Sequence, residues 1–208
     1  MRFIGVTGGV GAGKSEILGF LRQRPDTRVM LADEIAHELM KPHGACYDRI
    51  CAEFRDEDIF ATDNSGVNQG VPFDSNKLAV TIFSDEGKRL RMNAIVHPAV
   101  KEYVLQEFQR EEKNGILKYH VLEAALLIEE HYDTICDELW YIYTKEEIRR
   151  KRLKQSRGYS DEKIDRIFAS QLPEETYRGY ARVVIDNNGT KEDSIRQVEE
   201  ALRRLADE

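Results

Sequence analysis

Residues Gly5–Ser15 read GVTGGVGAGKS, and five of the eleven are glycine. Within them Gly8, Gly13, Lys14 and Ser15 fit the spacing G-x-x-x-x-G-K-S/T without a mismatch. That pattern suits one kind of chemistry. A phosphate is approached by backbone N–H groups, and a Cβ blocks some of the conformations the approach needs, so Gly9, Gly11, Ala12 and Gly13 form the candidate cradle. Lys14 would neutralise the β- and γ-phosphates, and Ser15 would give its hydroxyl to Mg²⁺. Glu16 follows and would offer only its N–H, at a helix start whose N-terminus faces the anion. The stretch predicts binding of a nucleoside triphosphate with Mg²⁺.

Phosphoryl transfer needs two further parts: a carboxylate beside the acceptor hydroxyl, and cations over the transferring group. The candidate carboxylate is Asp33 in VMLADEIAHEL, read as the end of a second strand at the carboxyl edge of a sheet, where ligands bind. The same residue could open the helix EIAHEL as its N-cap, and the two readings are compatible. The cations lie in RRKRLKQSRGYS (149–160): Arg149, Arg150, Lys151, Arg152, Lys154 and Arg157, followed by Gly158 as a hinge. A one-signed cluster in an acidic chain reads as a lid; the competing reading is a solvated helix face with surface ion pairs. No guanine-reading N-K-x-D is present, because Asn76-Lys77 runs on into Leu78-Ala79. The two D-x-x-G matches, Asp63–Gly66 and Asp186–Gly189, read as turns.

Elements must position these groups. Five short apolar runs, at 2–7, 28–31, 119–124, 138–143 and 182–186, predict parallel strands covered on both faces. Helical stripes separate them: Ile17, Leu18 and Leu21; Val100, Tyr103, Val104 and Phe108; Ile195, Val198, Leu202 and Leu205. Thr144 with Glu147 and Thr190 with Asp193 have the spacing of capping pairs. His97 before Pro98 reads as the first turn of a helix. The alternation predicts an α/β doubly wound, five-stranded parallel sheet flanked by helices. Residues 33–117 carry no confident buried strand and read as a mostly helical insertion. The expectation is one domain over 1–208. Its nucleotide-binding core is 1–32 and 118–208, the insertion is 33–117, and 149–162 form the lid.

Composition narrows the partners. The 208 residues are 41% apolar and 33% charged, with a net charge of −7, which argues against a nucleic-acid ligand. Cys46, Cys51 and Cys136 are too few and wrongly spaced for a zinc quartet or a disulfide framework. No apolar run reaches membrane-spanning length, so no membrane partner is expected and the cytoplasm is the default compartment. The sequence leaves the oligomeric state open.

The ordered motifs resemble those of the dephospho-coenzyme A kinase family over nearly the whole chain. VTGGVGAGKS is similar to its opening loop, LADEIA to its D-A-D-x-I-A, MNAIVHP to its L-N-x-x-x-H-P, and ALLIE to its P-L-L-x-E. RLKQSRGYSDEKIDRIFASQ, with Arg152, Ser160, Arg166 and Gln171, resembles its lid and the helix beyond, and IDNNGT its I-D-N-x-G. Leu31, Glu16, Ala125, Ser156 and Ser75 stand where the family pattern has other residues. The resemblance implies transfer from ATP to the ribose 3′-hydroxyl of dephospho-coenzyme A, with the helical insertion 33–117 holding the acceptor. It implies Asp33 as base, Lys14, Arg149, Arg152 and Arg157 on phosphate, Asn187 on the adenine side, and His97, Leu127 and Glu129 near the acceptor. Glu129 could equally be a buried acid at a helix start. Two other readings stay open on the residues alone. One is a kinase for a nucleoside monophosphate or another small molecule, with Arg49, Arg55, Arg89 and Arg91 available. The other is an ATP-binding regulator without transfer activity.

Overall fold

The computed structural model describes residues 1–61 and 70–207. Asp63–Gly66 lies outside them. In chain order the described elements are β1 (Arg2–Thr7), α1 (Lys14–Arg22), β2 (Thr27–Leu31), α2 (Ala32–Met40), α3 (Tyr47–Glu53), α4 (Ser75–Phe83), α5 (Glu86–Asn114), β3 (Tyr119–Glu123), β4 (Glu138–Tyr143), α6 (Glu146–Arg157), α7 (Asp161–Ala169), α8 (Glu174–Tyr180), β5 (Val183–Asp186) and α9 (Lys191–Asp207). The strands form one sheet in the order β2-β3-β1-β4-β5, and every pairing is parallel. The five expected strands are all present. Four or more consecutive buried positions in β1, β3 and β4 explain why their sequences read as unbroken apolar runs rather than as alternation.

Two compact units make up the chain: Met1–Leu31 with Phe108–Glu208, and Ala32–Glu107. In the first, Ile17, Leu18 and Leu21 of α1 and Val198, Leu202 and Leu205 of α9 close a core over Ile4, Val6, Val121, Trp140, Ile142 and Ile185. The Tyr119 hydroxyl ties β3 to α9 by donating to the Leu202 carbonyl at 2.8 Å. Elsewhere in this unit Phe3 stacks on Phe108 at 4.9 Å, and both rings meet His120 edge-on. His120 is fully buried and neither ring nitrogen has a hydrogen-bond partner.

The second unit is helical, with one isolated bridge between Phe60 and Phe73 among its described residues. The Tyr47 hydroxyl donates to the Val71 carbonyl at 2.7 Å, and the Tyr47 and Phe73 rings lie 5.1 Å apart. Asp74 caps α4 by accepting from the Asn76 and Lys77 amides. Among the described residues no helix is long and apolar enough to cross a membrane.

Three local expectations are corrected. α5 runs through Pro98, so His97 is mid-helix and not in a first turn. Proline deletes one internal hydrogen bond at a cost of about 3 kcal/mol. The buried stripe Met92, Ile95, Val96, Val100 and Val104 spans the site and holds the helix together. Tyr103, read with that stripe, is exposed. Thr144 does not cap α6, which begins after Lys145 with no side-chain cap. Thr190 and Asp193 do exchange the reciprocal bonds of a capping box.

Candidate active site

β1 ends at Thr7 and α1 begins at Lys14, so Gly8–Gly13 form the turn between a central strand and a helix N-terminus. Gly11 and Gly13 adopt φ of 83° and 87°, a region that side chains rarely enter. At Gly8 a Cβ would come within 2.6 Å of the Ile142 carbonyl oxygen, so the loop lies directly against β4.

The loop is braced from distant parts of the chain. The Ala12 amide donates to the Gly9 carbonyl at 3.0 Å. The Ala12 carbonyl accepts from the Thr144 hydroxyl at 2.9 Å, the Asn187 amide at 2.8 Å and the Arg152 guanidinium at 3.4 Å. Arg152 also donates to the Asn187 carbonyl at 3.0 Å, and Ser194 donates to the Asn187 side-chain oxygen at 2.7 Å. Thr144, Asn187 and Ser194 are buried. Arg149 Nε donates to the Val10 carbonyl at 2.9 Å, its guanidinium bonds the Gln171 side chain, and it lies 4.3 Å over the Phe168 ring. Burial pulls the Arg149 guanidinium below its ordinary pKa. Buried polar groups with partners on every side hold one geometry, which is the preparation a charged ligand needs.

Lys14 heads the site. Its ammonium donates to the Gly8 carbonyl at 2.6 Å and lies 3.5 Å from the Glu123 carboxylate. Glu123 ends β3 in register with Val6 of β1 and Leu31 of β2, so it stands at the carboxyl edge of the sheet centre. Ser15 and Glu16 are exposed on the first turn of α1. A glycine cradle, a lysine at its head and an exposed serine on a helix N-terminus fit a triphosphate and its Mg²⁺.

The cationic run divides into two faces of α6. Arg149 and Arg152 lie on the loop. Arg150 instead pairs with Glu146, Asp161 and Asp165, and Lys154 with Asp161, as a solvated face would. Arg157 is exposed at the end of α6, 5.9 Å over the Tyr159 ring, where Gly158 caps the helix with φ 62°.

The remaining candidates fall as follows. Asp33 is the second residue of α2 and exposed; the helix already includes Ala32, so Asp33 is a first-turn acid and not the N-cap. Leu127 is fully buried, close enough that a Cβ on Gly5 would be 3.0 Å from its Cδ1. Glu129 is exposed in the turn after β3, which corrects its reading as a buried helix-start acid. His97 is half-buried within α5. The site therefore gathers Gly9, Gly11, Ala12, Gly13, Lys14, Arg149, Arg152 and Asn187 in the first unit, while Asp33 and His97 belong to the second. Three participants escaped sequence reasoning. Thr144 was taken for a cap, Glu123 was hidden in a strand run, and Ser194 carried no motif. A carboxylate as the last residue of a central strand is the signal that could have found Glu123.

A parallel sheet with a braced phosphate loop after its central strand defines a P-loop α/β protein. The dephospho-CoA kinase family matches residues 2–193. The dephospho-CoA kinase of Shouchella clausii is 33% identical over 205 residues, 99% of this chain and 99% of its own. The crystal structure of TT1252 from Thermus thermophilus superposes with a TM-score of 0.76 at 26% identity, covering 98% of this chain and 97% of that one. The dephospho-CoA kinase from Campylobacter jejuni shares the fold with a TM-score of 0.69 at 20% identity, over 99% and 98% of the two chains. The chain belongs to the dephospho-CoA kinase family, whose members are phosphotransferases with an alcohol group as acceptor.

Proposed function

We propose that the chain transfers the γ-phosphoryl group of ATP to the ribose 3′-hydroxyl of dephospho-coenzyme A, giving coenzyme A and ADP. The family match over residues 2–193 carries the choice of acceptor, and the braced loop supports the choice of donor. Backbone N–H groups of Gly9–Glu16 bind the phosphates. Lys14 stabilises negative charge as the bond from the γ-phosphorus to the bridging oxygen breaks. Ser15 and Glu123 are the side chains that would hold Mg²⁺, which when bound draws charge from the β- and γ-phosphates. Asp33 orients the 3′-hydroxyl and takes its proton as the new oxygen–phosphorus bond forms, then releases that proton to water.

Arg149 and Arg152, already seated on the loop, supply cationic charge over the phosphates, and Arg157 joins them from the end of α6. Asn187 fixes the loop wall beside the nucleotide. The helical segment 33–117 holds the acceptor, with His97 as its contact there; Glu129 is a further candidate contact, and Leu127, fully buried, acts only through packing. Little covalent work is asked of the protein, so position and charge dominate the rate. A small acidic kinase without a membrane-spanning helix among its described residues suits the cytoplasm.

The test is a coupled ADP-release assay with Mg·ATP and dephospho-coenzyme A, run beside AMP, CMP, UMP and shikimate. ADP release that depends on dephospho-coenzyme A, with the phosphate on the 3′-oxygen of the product, is the expected result. No release above the acceptor-free rate by folded, ATP-binding protein would refute the assignment.

A further inference from the structure

The second unit contains a cavity of about 560 Å³ between the end of α2 and α4. That size lies in the usual range for small-molecule pockets, about 300–1,000 Å³. α4 has an apolar face at helical spacing, Leu78, Ala79 and Ile82 following Ser75, and that face lines the cavity. None of the α4 residues is buried, so the face is not spent on the core of its unit. Met40 and Pro42 close the cavity from the α2 side, and Phe73 from the chain entering α4. His37, Lys41 and Ser75 are the polar groups among these walls.

α2 connects this cavity to the proposed base. Asp33 and His37 lie four residues apart on one face of α2, and Lys41 follows directly after its last residue, Met40. His37 is one helical turn from Asp33, the helix reaches its end at Met40 about 10 Å from Asp33 along the axis, and Lys41, paired with Glu38, follows it. An acceptor hydroxyl held at Asp33 therefore directs the rest of its molecule along α2 toward the cavity. In dephospho-coenzyme A a ribose and a diphosphate separate the 3′-hydroxyl from the arm, and they span a similar length. The diphosphate then passes the basic side chains of His37 and Lys41. The next group is the pantetheine arm, a neutral, flexible chain with two amides and a thiol. An apolar cavity with a few polar groups matches an uncharged arm and would penalise a second charged group.

We propose that the α2–α4 cavity binds the pantetheine arm of the acceptor, with Leu78, Ala79 and Ile82 against its methylene and methyl groups and Ser75 serving its amides. This inference rests on dephospho-coenzyme A being the acceptor. It explains acceptor choice through the part of the molecule remote from the reacting oxygen, whose binding energy can be used to orient that oxygen.

The experiment fills the cavity. Ala79→Phe is compared with wild type using two acceptors that share the 3′-hydroxyl, dephospho-coenzyme A and AMP, which lacks the arm. The ratio of kcat/KM for dephospho-coenzyme A over AMP is expected to fall at least about tenfold, mainly through KM for dephospho-coenzyme A. An unchanged ratio in an enzyme that makes coenzyme A overturns the cavity assignment and leaves the activity standing. Independently of turnover, calorimetric titration with 4′-phosphopantetheine is expected to show binding to wild type and its loss in Ala79→Phe. That titration decides the cavity even if wild type transfers phosphate to neither acceptor, and equal binding to both proteins overturns it. Ile82→Asp, which places a charge on the same wall, gives the same comparison if Ala79→Phe does not fold.

Discussion

In the first unit the Ala12 carbonyl accepts three donors drawn from β4's end, β5's end and α6. In the second unit α4 buries none of its residues and leaves an apolar face along a cavity. The contrast matches the chemistry of the two ligands proposed for them. A triphosphate is highly charged and must meet oriented N–H groups and cations that do not reorganise during transfer, so its loop is fixed by buried polar bonds. A flexible neutral arm gains from shape and apolar contact, and a smooth wall with few polar groups is enough.

Four measurements test that contrast, from the largest effect downward. Asp33→Asn keeps size but cannot take a proton, and turnover is expected to fall between about 10² and 10⁴-fold with ATP affinity nearly unchanged. Single-turnover transfer together with nucleotide binding checks it, and near wild-type turnover would reduce Asp33 to a first-turn acid. Lys14→Met removes the cation at the head of the loop, and steady-state kcat is expected to drop about 10²–10³-fold. Thr144→Val removes the hydroxyl that donates to the Ala12 and Asn187 carbonyls, at 2.9 and 3.3 Å. Each carbonyl keeps another donor, so the loss is that of one net hydrogen bond, about 0.5–1.5 kcal/mol, and ATP affinity should weaken by up to about tenfold while acceptor KM holds. Equal damage to both substrates would show that the loop is not separately braced.

The fourth measurement concerns a place where the first unit breaks its own habit. His120 is buried without partners, and burial, helped by the charge of Arg28, lowers its pKa from 6.5 to about 4. The unfolded chain therefore takes up a proton that the folded chain refuses as pH falls below 6.5. This stabilising contribution is full above pH 6.5 and is lost progressively toward about pH 4. His120→Leu should flatten that acid limb, with a differential of about 3 kcal/mol near its lower end and no added slope above neutrality. Denaturant unfolding of both proteins across the pH range provides the comparison, and identical slopes would count against the buried neutral imidazole.

The strands were legible because burial on both faces writes itself as apolar runs, and the loop because glycine, lysine and serine leave few alternatives. Side-chain roles that depend on distant partners were not. Thr144 with Glu147 has the spacing of a capping pair, yet its hydroxyl is drawn to Ala12, 132 residues away. Pro98 looked like a helix start, because local propensity carries no record of the buried stripe that pulls α5 through it. The cationic run was legible as a cluster but not as two faces, since Asp161 and Asp165, which claim Arg150, sit on the next helix. Asp33 was legible as an acid at the start of α2, but whether the helix began before or after it was beyond the reach of residue type.

The Ala12 carbonyl also imposes an order in time. The glycine loop precedes two of its donors by 132 and 175 residues. At a synthesis rate of about 5–20 residues per second, a growing chain carries the complete loop for roughly ten seconds or longer before Asn187 exists. During that interval Lys14 and Ser15 are present without the wall that shapes their grip. Under the proposed function, nucleotide capture would signal that β5 has docked, and ligand-linked stabilisation would reach only chains that have completed the sheet.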